Sequence, residues 1–292
     1  MATRRIVIAG STGYLGRHVL DAFADAGWHV RALARNPASL GAHRERCEQV
    51  VQGDVTRPST LEGLCDGADV VFSSVGIRTF GRKPSYLDVD LAGNMNLVEE
   101  ARRAGVPHFV FISAVNADAL RQVVGVAEAR ERIVDALKES QDTMAWTVLR
   151  PSGFFNDMSD YFEMAQRGTA WVVGEGLRRL NPIHGADLAA EAVASIDDPT
   201  RRNVAVALGG PDTFNNREIA ELAFDVIGKP SRLRALPIWL VRASAAVIRP
   251  FNGNAGSLVR AIAAFGEMDF VGQTCGTHHL RAFFEELAAK QE

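Results

Sequence analysis

Residues 5–16 read RIVIAGSTGYLG, an apolar run followed by three evenly spaced glycines and the start of a helical pattern. The apolar run is typical of a buried strand. Gly10 permits a sharp turn after that strand, Gly13 lets an anion approach the backbone, and Gly16 allows close packing of helix on strand. A helix that begins there presents unpaired N–H groups and a partial positive charge. The stretch therefore predicts a binding site for a dinucleotide diphosphate.

The first half of the chain alternates short β-rich runs with longer helical patterns. We predict strands at residues 5–9, 29–33, 48–52, 69–73, 108–113 and 146–150, and helices at residues 14–26, 59–64, 90–104 and 126–140. Helix-length segments between strands imply right-handed crossovers and a parallel sheet that is covered on both faces. Residues 1–150 are therefore predicted to form a doubly wound α/β domain.

The pattern changes after Arg150. Helical patterns dominate at residues 216–227, 239–248, 256–264 and 280–289, after an aromatic-rich stretch that follows a Pro-Ser-Gly break. A helix at residues 187–196 and a strand at residues 204–208 return to the sheet, so segment 183–208 is assigned to the first domain. Residues 151–182 and 209–292 are predicted to form a smaller, mainly helical lobe that binds substrate.

One amphipathic stretch has two interpretations. Residues 237–251 form an apolar run that Arg242 and Arg249 interrupt. The pattern favours a helix that covers part of the fold, and the alternative is a helix that lies on a membrane surface.

Composition excludes several classes of protein. The chain has 292 residues, 47% of them hydrophobic, and a formal net charge of −3, so it carries no overall basic field for nucleic acid. Its three cysteines lie far apart, which favours a reducing compartment and argues against a disulfide framework or a zinc site. Histidine spacing predicts no metal site. No signal peptide and no uncharged run of about 20 residues is present, so we expect a cytoplasmic protein without a transmembrane segment.

The residues after the second predicted strand indicate the nucleotide. Residues 31–36 read RALARN and contain no acid that could bind a ribose 2′-hydroxyl. Arg35, helped by Arg31, can instead pair with a 2′-phosphate, which favours NADP(H) over NAD(H); the alternative is a solvated arginine. Asp54 follows the third strand, where its carboxylate can accept a hydrogen bond from adenine or cap the following turn.

Six motifs occur in an order typical of one family. They are GSTGYLG at residues 10–16, GDV at 53–55, LDVD at 87–90 followed by GN at 93–94, FVFIS at 109–113, TVLRP at 147–151 and NPIHGADLA at 181–189. With these motifs the chain resembles the short-chain dehydrogenase/reductase superfamily, and more narrowly its atypical, NmrA-like and divinyl-chlorophyllide-reductase-like members. The resemblance implies a Rossmann-type fold that binds NAD(P)(H) and a C-terminal substrate lobe. It also implies that the block around His184 is structural.

The chain departs from the family at the catalytic motif. Catalytic members carry Tyr-x-x-x-Lys on the helix after the fifth strand, and the corresponding residues here are Val126 and Arg130. The resemblance therefore leaves Ser113, which ends the fifth strand, and Arg130 as candidate catalytic residues. Ser113 can orient substrate or bond to nearby backbone. Tyr86 and Tyr161, in segments that should border the cleft, are candidate replacements for the missing proton donor; the alternative, which the pattern favours for each, is a structural role.

The predicted cofactor site collects the residues that the motifs and the resemblance place along one edge of the sheet. These are Gly10, Ser11, Thr12, Gly13, Tyr14, Leu15, Gly16, Arg35, Asp54, Val55, Ser74, Val75, Gly76, Ser113, Arg130, Pro151 and Phe154. A basic cluster of Arg78, Arg82 and Lys83 is either a lid that meets an anionic substrate or a solvated loop.

Three functions fit these patterns. The first is an NADP(H)-dependent oxidoreductase that acts on a small, largely apolar substrate, with the proton coming from solvent or a tyrosine. The second is a cofactor-binding sensor or assembly protein without turnover, which the missing tyrosine favours. The third is a nucleotide-sugar epimerase or dehydratase, which normally needs the Tyr/Lys pair and therefore ranks last. The sequence does not specify the oligomeric state.

Overall fold

One parallel sheet organises the molecule. The structure, a computed structural model, describes residues 4–290; residues 1–3 and 291–292, at the outer ends of the two predicted domains, lie outside the described residues. The strands are β1 Arg5–Ala9, β2 His29–Ala34, β3 Gln49–Gln52, β4 Val70–Ser73, β5 His108–Ile112, β6 Ala145–Pro151, β7 Ala170–Val173, β8 Arg179–Leu180, β9 Val204–Gly209, β10 Phe214–Asn215, β11 Leu233–Leu236 and β12 Gln273–Thr274. Within the described residues, eight of them form the central sheet in the order β3-β2-β1-β4-β5-β6-β9-β12, with every pair parallel.

Helices cover both faces of this sheet. They are α1 Tyr14–Asp25, α2 Asn94–Arg103, α3 Ala117–Leu120, α4 Gly125–Glu139, α5 Phe155–Gln166, α6 Gly185–Asp197, α7 Asn216–Val226, α8 Ile238–Ile248, α9 Gly253–Glu267 and α10 Leu280–Ala289. Strand order and helix placement confirm the predicted Rossmann-type doubly wound sheet.

Successive side chains of β1 point to opposite faces of the sheet, and both faces are covered by apolar cores. Ile6 and Ile8 pack into one apolar core with α1 and α6. Val7 and Ala9 pack into a second core on the other face with α2 and α4. Because both faces are buried, a central strand needs apolar residues at every position, which explains its continuous apolar run.

The lobe contains more than the predicted helices. A third core joins α5, α7 and α10, and two short strand pairs, β7 with β11 and β8 with β10, lie beside it. The sequence analysis did not predict these pairs or α5. The lobe segment also supplies β12, which extends the central sheet beside β9.

One predicted helix is wrong. Residues 59–64 form no α-helix; a single 3₁₀ turn at Pro58–Thr60 is followed by further turns. Gly63 and Gly67 adopt positive φ angles of 75° and 67°. Glycine favours such turns over a regular helix, so the connection from β3 to β4 stays irregular.

The C-terminal segment is held against the sheet domain at His184 and Asp187. His184 caps α6, its Nδ1 accepting from the Ala186 amide at 3.3 Å, and its ring stacks on His278 with centroids 4.3 Å apart. The Asp187 carboxylate accepts hydrogen bonds from the amides of Thr277 and His278 at 3.2 and 3.1 Å. These contacts give the block around His184 a structural role, as the resemblance implied.

Candidate functional site

The glycine turn leaves the first turn of α1 open for a diphosphate. Gly10 has a φ of 87°, and the Gly13 amide donates to the Gly10 carbonyl at 2.9 Å, which closes the turn. A Cβ on Gly16 would overlap the Gly10 carbonyl, so only glycine allows this packing. The start of α1 has neither a side-chain cap nor an acidic residue in its first turn. These features suit a bound anion at the helix N-terminus, so the residues present fit a dinucleotide diphosphate.

Three predicted cofactor residues in this turn have side chains that serve the fold. The buried Ser11 hydroxyl donates to the Leu33 carbonyl at 2.8 Å, and Leu15 belongs to the sheet core. The Tyr14 hydroxyl accepts from the Gly185 amide at 3.0 Å, and burial raises the pKa of Tyr14 to about 12. The cleft beside the turn is lined instead by Gly10, Thr12 and Gly13.

A cleft of about 270 Å³ continues from the glycine turn along the carboxyl edge of the sheet. Its lining comprises Gly10, Thr12, Gly13, Leu33, Ala34, Arg35, Gly53, Asp54, Val55, Thr56, Ser74, Val75, Gly76, Ile77, Pro84 and Val89. Of the predicted cofactor residues, the cleft thus brings together those after β1, β2, β3 and β4.

The end of β2 presents one arginine to this cleft. Arg35 lines it and forms no ion pair among residues 4–290. The prediction that Arg31 assists is wrong, because its guanidinium donates to the carbonyls of Leu64 and Asp66 at 2.7 and 2.9 Å and to Gln49. Arg31 lies in mid-strand, so its side chain cannot reach the carboxyl edge that Arg35 occupies.

Asp54 lies in the cleft and also caps the turn that follows β3. Its Oδ1 accepts from the amide and the hydroxyl of Thr56 at 2.9 and 2.8 Å. These hydrogen bonds lower the pKa of Asp54. The carboxylate is therefore ionised at neutral pH and fixed in place, with its other oxygen open to a ligand donor.

A hydrogen-bond network fixes the loop after β4. Asn94, buried on α2, accepts from the Ser73 hydroxyl at 2.6 Å and donates to the Val75 and Asp90 carbonyls at 3.1 and 2.8 Å. The sequence analysis quoted Asn94 in a motif without giving it a role. The spacing of Asp90 and Asn94, one helical turn apart, is the signal that could have identified this pair.

A second cavity of about 260 Å³ adjoins the cleft, and Ile77 lines both. Its lining includes the predicted residues Tyr86, Ser113, Arg130, Pro151 and Phe154. Arg78, from the basic cluster, and Val126, at the position of the family's tyrosine, also line it. The sequence did not indicate the remaining lining residues: Ile77, Thr79, Ala114, Val115, Ala117, Leu120, Val124, Ala127, Ser152, Gly153, Asp157, Asn254, Ser257, Leu258, Ala261, Phe265 and Phe270. Several of these are apolar residues of α3, α4 and α9, and the hydrophobic pattern of a helix alone does not distinguish a cavity wall from a core.

Ser113 is held by a buried carboxylate at the floor of the second cavity. Its hydroxyl donates to Glu131 Oε1 at 3.0 Å, and Glu131 Oε2 accepts from Arg150 Nη2 at 2.7 Å. The Ser113 hydroxyl therefore donates to a side chain, Glu131, and not to nearby backbone. The sequence did not indicate this role for Glu131. Because the proton points to Glu131, the lone pairs of Ser113 Oγ are free to accept a hydrogen bond.

Arg130 lines the second cavity and reaches toward Gly76, which lines the cleft. Its Nη1 donates to the Ser113 carbonyl at 3.2 Å, and its Nη2 lies 3.5 Å from Asp90 Oδ1. Burial of Asp90 raises the pKa of that carboxyl, while Arg130 opposes the shift. The guanidinium is thus fixed beside Gly76, where a cofactor in the cleft would pass.

Only one of the two candidate tyrosines lines the cavity. The Tyr86 hydroxyl lies so close to Gly125 that a Cβ there would overlap it, which places the phenol beside Val126. Tyr161 has the structural role that was its alternative: its hydroxyl donates to Asn216 at 3.0 Å inside the lobe, away from the cavity lining. Burial also raises the pKa of Tyr161 strongly.

Arg78 and Lys83, two residues of the basic cluster on the loop after β4, form ion pairs with different acidic residues. Arg78 lines the second cavity but is paired with Asp157 at 2.7 Å and Asp160 at 2.5 Å, both on α5. Lys83 lies 3.5 Å from Asp88. Arg78 therefore ties the loop to the lobe and is not free for an anionic substrate.

Neither a metal centre nor a membrane span is found in the described part of the chain. Residues 4–290 contain no group of three or more His, Cys, Asp or Glu side chains arranged to hold a metal ion. No helix in the same range is long and apolar enough to cross a bilayer.

Comparison with known proteins assigns the chain to a family. The profile of a family described as NAD(P)H-binding matches residues 10–199. Divinyl chlorophyllide a 8-vinyl-reductase of Arabidopsis thaliana is 27% identical over 253 residues, which cover 81% of this chain and 60% of that protein. This chain thus spans less than two thirds of the reductase. Photosystem II assembly factor Ycf39 of Trieres chinensis is 27% identical over 242 residues, covering 81% of this chain and 73% of that protein.

A solved structure has the same fold. The crystal structure of an NADPH-dependent quinone oxidoreductase from Escherichia coli, complexed with NADPH, superimposes with a TM-score of 0.75. It is 20% identical, and the match covers 97% of this chain and 99% of that one. Together with the sequence relatives, this similarity confirms the resemblance to atypical, reductase-like NAD(P)-binding proteins.

Proposed function

This chain belongs to the NAD(P)H-binding family, and from that premise we propose that it is an NADP(H)-dependent oxidoreductase. The substrate is a small, largely apolar molecule that exchanges a hydride with the nicotinamide. The observation that carries the proposal is the mainly apolar cavity of about 260 Å³ that adjoins the dinucleotide cleft at Ile77. A cofactor whose diphosphate lies at the start of α1 would extend its nicotinamide along this edge toward that cavity.

The cavity lies between the two proposed parts of the molecule. Residues 1–150 with 183–208 form the dinucleotide-binding domain in this proposal, and residues 151–182 and 209–292 form the substrate lobe. The floor holds Ser113 and Arg130 from the first part, and the wall holds Leu258, Ala261 and Phe265 from the second. An apolar wall excludes water from the hydride path and selects an apolar substrate.

Two polar groups at the floor orient the reactants. Bound NADP(H) would supply the hydride. Arg130, at the position of the family's lysine, would donate to a ribose hydroxyl, and Ser113 Oγ would accept a hydrogen bond from the carboxamide or the substrate. Because arginine stays protonated, Arg130 holds its partner and moves no proton. We assign proton donation to Tyr86 or to solvent, since Val126 occupies the position of the family's tyrosine.

Cofactor consumption tests this proposal. Purified protein is incubated with NADPH and a panel of quinones, enones and vinyl-bearing compounds, and loss of the reduced nicotinamide absorbance is followed. We expect turnover with at least one apolar acceptor. Tight NADPH binding with no turnover across the panel would instead support the second function, a cofactor-binding sensor or assembly protein.

That second function has one specific observation in its favour. Val126 removes the proton donor of catalytic family members, and Ycf39, a relative of similar identity, is named as an assembly factor. It predicts that NADPH changes the binding of a partner protein. The apolar cavity next to the cleft favours the oxidoreductase, because a sensor needs no enclosed space beside the nicotinamide.

A further inference from the structure

The α8 helix exposes an apolar face to solvent. Its inner face is held on the fold by Val241 and Ala245, which are buried. On the outer face Trp239, Val247 and Phe251, which follows the helix, are 70%, 66% and 72% exposed. Their spacing places them along one side of the helix, together with exposed alanines. Because the inner face already contacts the protein, the outer face is left without a partner in the monomer.

The chain around this face is basic although the whole protein is slightly acidic. Residues 226–266 contain six lysines and arginines and no aspartate or glutamate, whereas the net charge of the chain is −3. Arg249 forms no ion pair among residues 4–290. Arg242 lies 3.7 Å from Glu267, a carboxylate it shares with Arg260. The turn opposite Trp239 carries Glu175, so the positive charge is concentrated toward Arg249.

The exposed face continues onto the loop that borders the substrate cavity. Asn252 Nδ2 donates to the Phe80 carbonyl at 2.7 Å, and Asn254 Nδ2 donates to the Gly81 and Pro84 carbonyls at 2.7 and 2.9 Å. Phe80 is itself 62% exposed. The bond from Asn252 fixes the Phe80 backbone next to the end of α8. The loop after β4, which carries Phe80, and helix α9, which packs against α8, also line the second cavity.

We propose that this face, made of α8, Phe251 and Phe80 with their flanking arginines, docks on the surface of an anionic lipid bilayer. The apolar side chains enter the boundary between headgroups and acyl chains, and Arg242 and Arg249 pair with lipid phosphates. Aromatic residues flanked by cations are the composition that favours this boundary. Docking requires no span across the bilayer and leaves the fold unchanged, because the inner face of α8 stays packed.

Charge disfavours a second copy of the chain as the occupant. An isologous dimer through α8 would bring Arg242 and Arg249 of both copies together, and Glu267, the carboxylate beside Arg242, is already shared with Arg260. An anionic lipid surface supplies the missing negative charge. The proposal concerns binding alone, so it does not depend on turnover.

Vesicle binding tests the proposal on the full chain. The protein is sedimented with vesicles of phosphatidylcholine, alone or mixed with phosphatidylglycerol. We expect co-sedimentation with the anionic vesicles, weakened by salt. Trp239→Ser combined with Phe251→Ser should lower the partition coefficient by at least about tenfold. Arg249→Glu should lower it by about tenfold, while Arg202→Glu, an exposed arginine at the amino end of β9, should leave it unchanged.

Tryptophan fluorescence reports on the helix itself. Trp28 and Trp146 are buried, so Trp171→Phe leaves Trp239 as the exposed tryptophan of the four in the chain. Its emission should shift to shorter wavelength when anionic vesicles are added. Lack of sedimentation with either vesicle would overturn the proposal. So would a Trp239→Ser variant that changes the oligomeric state in solution while vesicle binding is absent, since the face would then join copies of the chain.

Discussion

At the residue scale, polar side chains that line the cleft and the second cavity are held in place by hydrogen bonds within the protein. Asp54 is anchored through one carboxylate oxygen and leaves the other open to the cleft, and Ser113 is anchored through its hydroxyl proton and leaves its lone pairs open to the second cavity. Such anchoring holds the open side in one orientation before a ligand arrives, which reduces the entropy lost on binding. Arg35 differs, because no ion pair within residues 4–290 holds it.

Replacement of Arg35 tests the coenzyme preference. Arg35→Ala should weaken NADPH binding by about 10- to 100-fold, because a charge-assisted contact to the 2′-phosphate is lost. NADH affinity should change little. Titration calorimetry with both coenzymes measures the two effects, and Arg44→Ala, an exposed arginine outside the cleft lining, serves as the control. Equal losses for NADPH and NADH would contradict a 2′-phosphate role.

Replacement of Tyr86 tests the proton donor, and the same replacement at Tyr161 is the matched control. Tyr86→Phe should lower kcat by about 100-fold with little change in NADPH affinity, because the phenol at the cavity wall supplies the proton. Tyr161→Phe should leave kcat unchanged, since that hydroxyl bonds to Asn216 inside the lobe. Steady-state kinetics with the best acceptor measures both. Normal kcat in Tyr86→Phe would assign the proton to solvent.

His108 gives the fold a predictable pH dependence. It is buried at the start of β5, Nε2 2.9 Å from Thr147 Oγ1, and burial lowers its pKa to about 4. The unfolded chain takes up the proton near pH 6.5, so the free energy of unfolding should fall between about pH 6.5 and 4, by on the order of 2–3 kcal/mol. Urea unfolding at several pH values measures this. His108→Gln should flatten that part of the curve, and parallel curves would refute the assignment.

At the element scale, α4 links the carboxyl ends of the neighbouring strands β5 and β6. Glu131 on this helix binds Ser113 at the end of β5 and Arg150 at the end of β6. The two ends of these strands are therefore set relative to one another by one carboxylate. Because α4 both lines the second cavity and anchors Ser113 at its floor, a change in the packing of α4 should shift Ser113.

Removal of this carboxylate should destabilise the protein. Glu131→Ala removes the buried partner of the Arg150 guanidinium and leaves it Asp118, which is 3.4 Å away and largely exposed, so the free energy of unfolding should fall by about 3–5 kcal/mol. Glu128→Ala, exposed on the same helix, should cost less than about 1 kcal/mol. Urea denaturation compares the two variants. A similar small loss in both would mean that Arg150 finds another partner.

At the scale of the whole molecule, the lobe and the sheet are interwoven. β12 comes from the C-terminal segment yet completes the sheet, and Leu280 and Phe284 of α10 are fully buried. The chain therefore passes from the sheet through the lobe segments and back to the sheet at β12. Neither part can bury its apolar surface without the other.

This arrangement predicts a single unfolding transition. Scanning calorimetry should give one peak whose calorimetric and van't Hoff enthalpies agree, because β12 and α10 couple the lobe to the sheet. The same transition should appear in near-ultraviolet and far-ultraviolet circular dichroism. Two resolved peaks would show that the lobe unfolds as an independent domain.

The sequence by itself determined the doubly wound sheet and its glycine turn. The strand–glycine–helix stretch at residues 5–16 specifies its structure locally, because strand burial, turn geometry and helix start depend on neighbouring residues. The same local logic identified Arg35 and Asp54, each directly after a strand. It failed for residues 59–64 and for α5, where glycine turns and mixed aromatic patterns outweigh simple periodicity.

Only the tertiary structure decided which side chains meet across the chain. Glu131 joins Ser113 to Arg150, Tyr86 lies beside Gly125, and Arg31 turns away from the cleft to carbonyls after β3. The exposure of Trp239 and Phe251 is of the same kind, because an amphipathic pattern does not show which face is covered. Contacts between distant residues depend on how whole elements pack, and periodicity, which is a local property, carries no information about that packing.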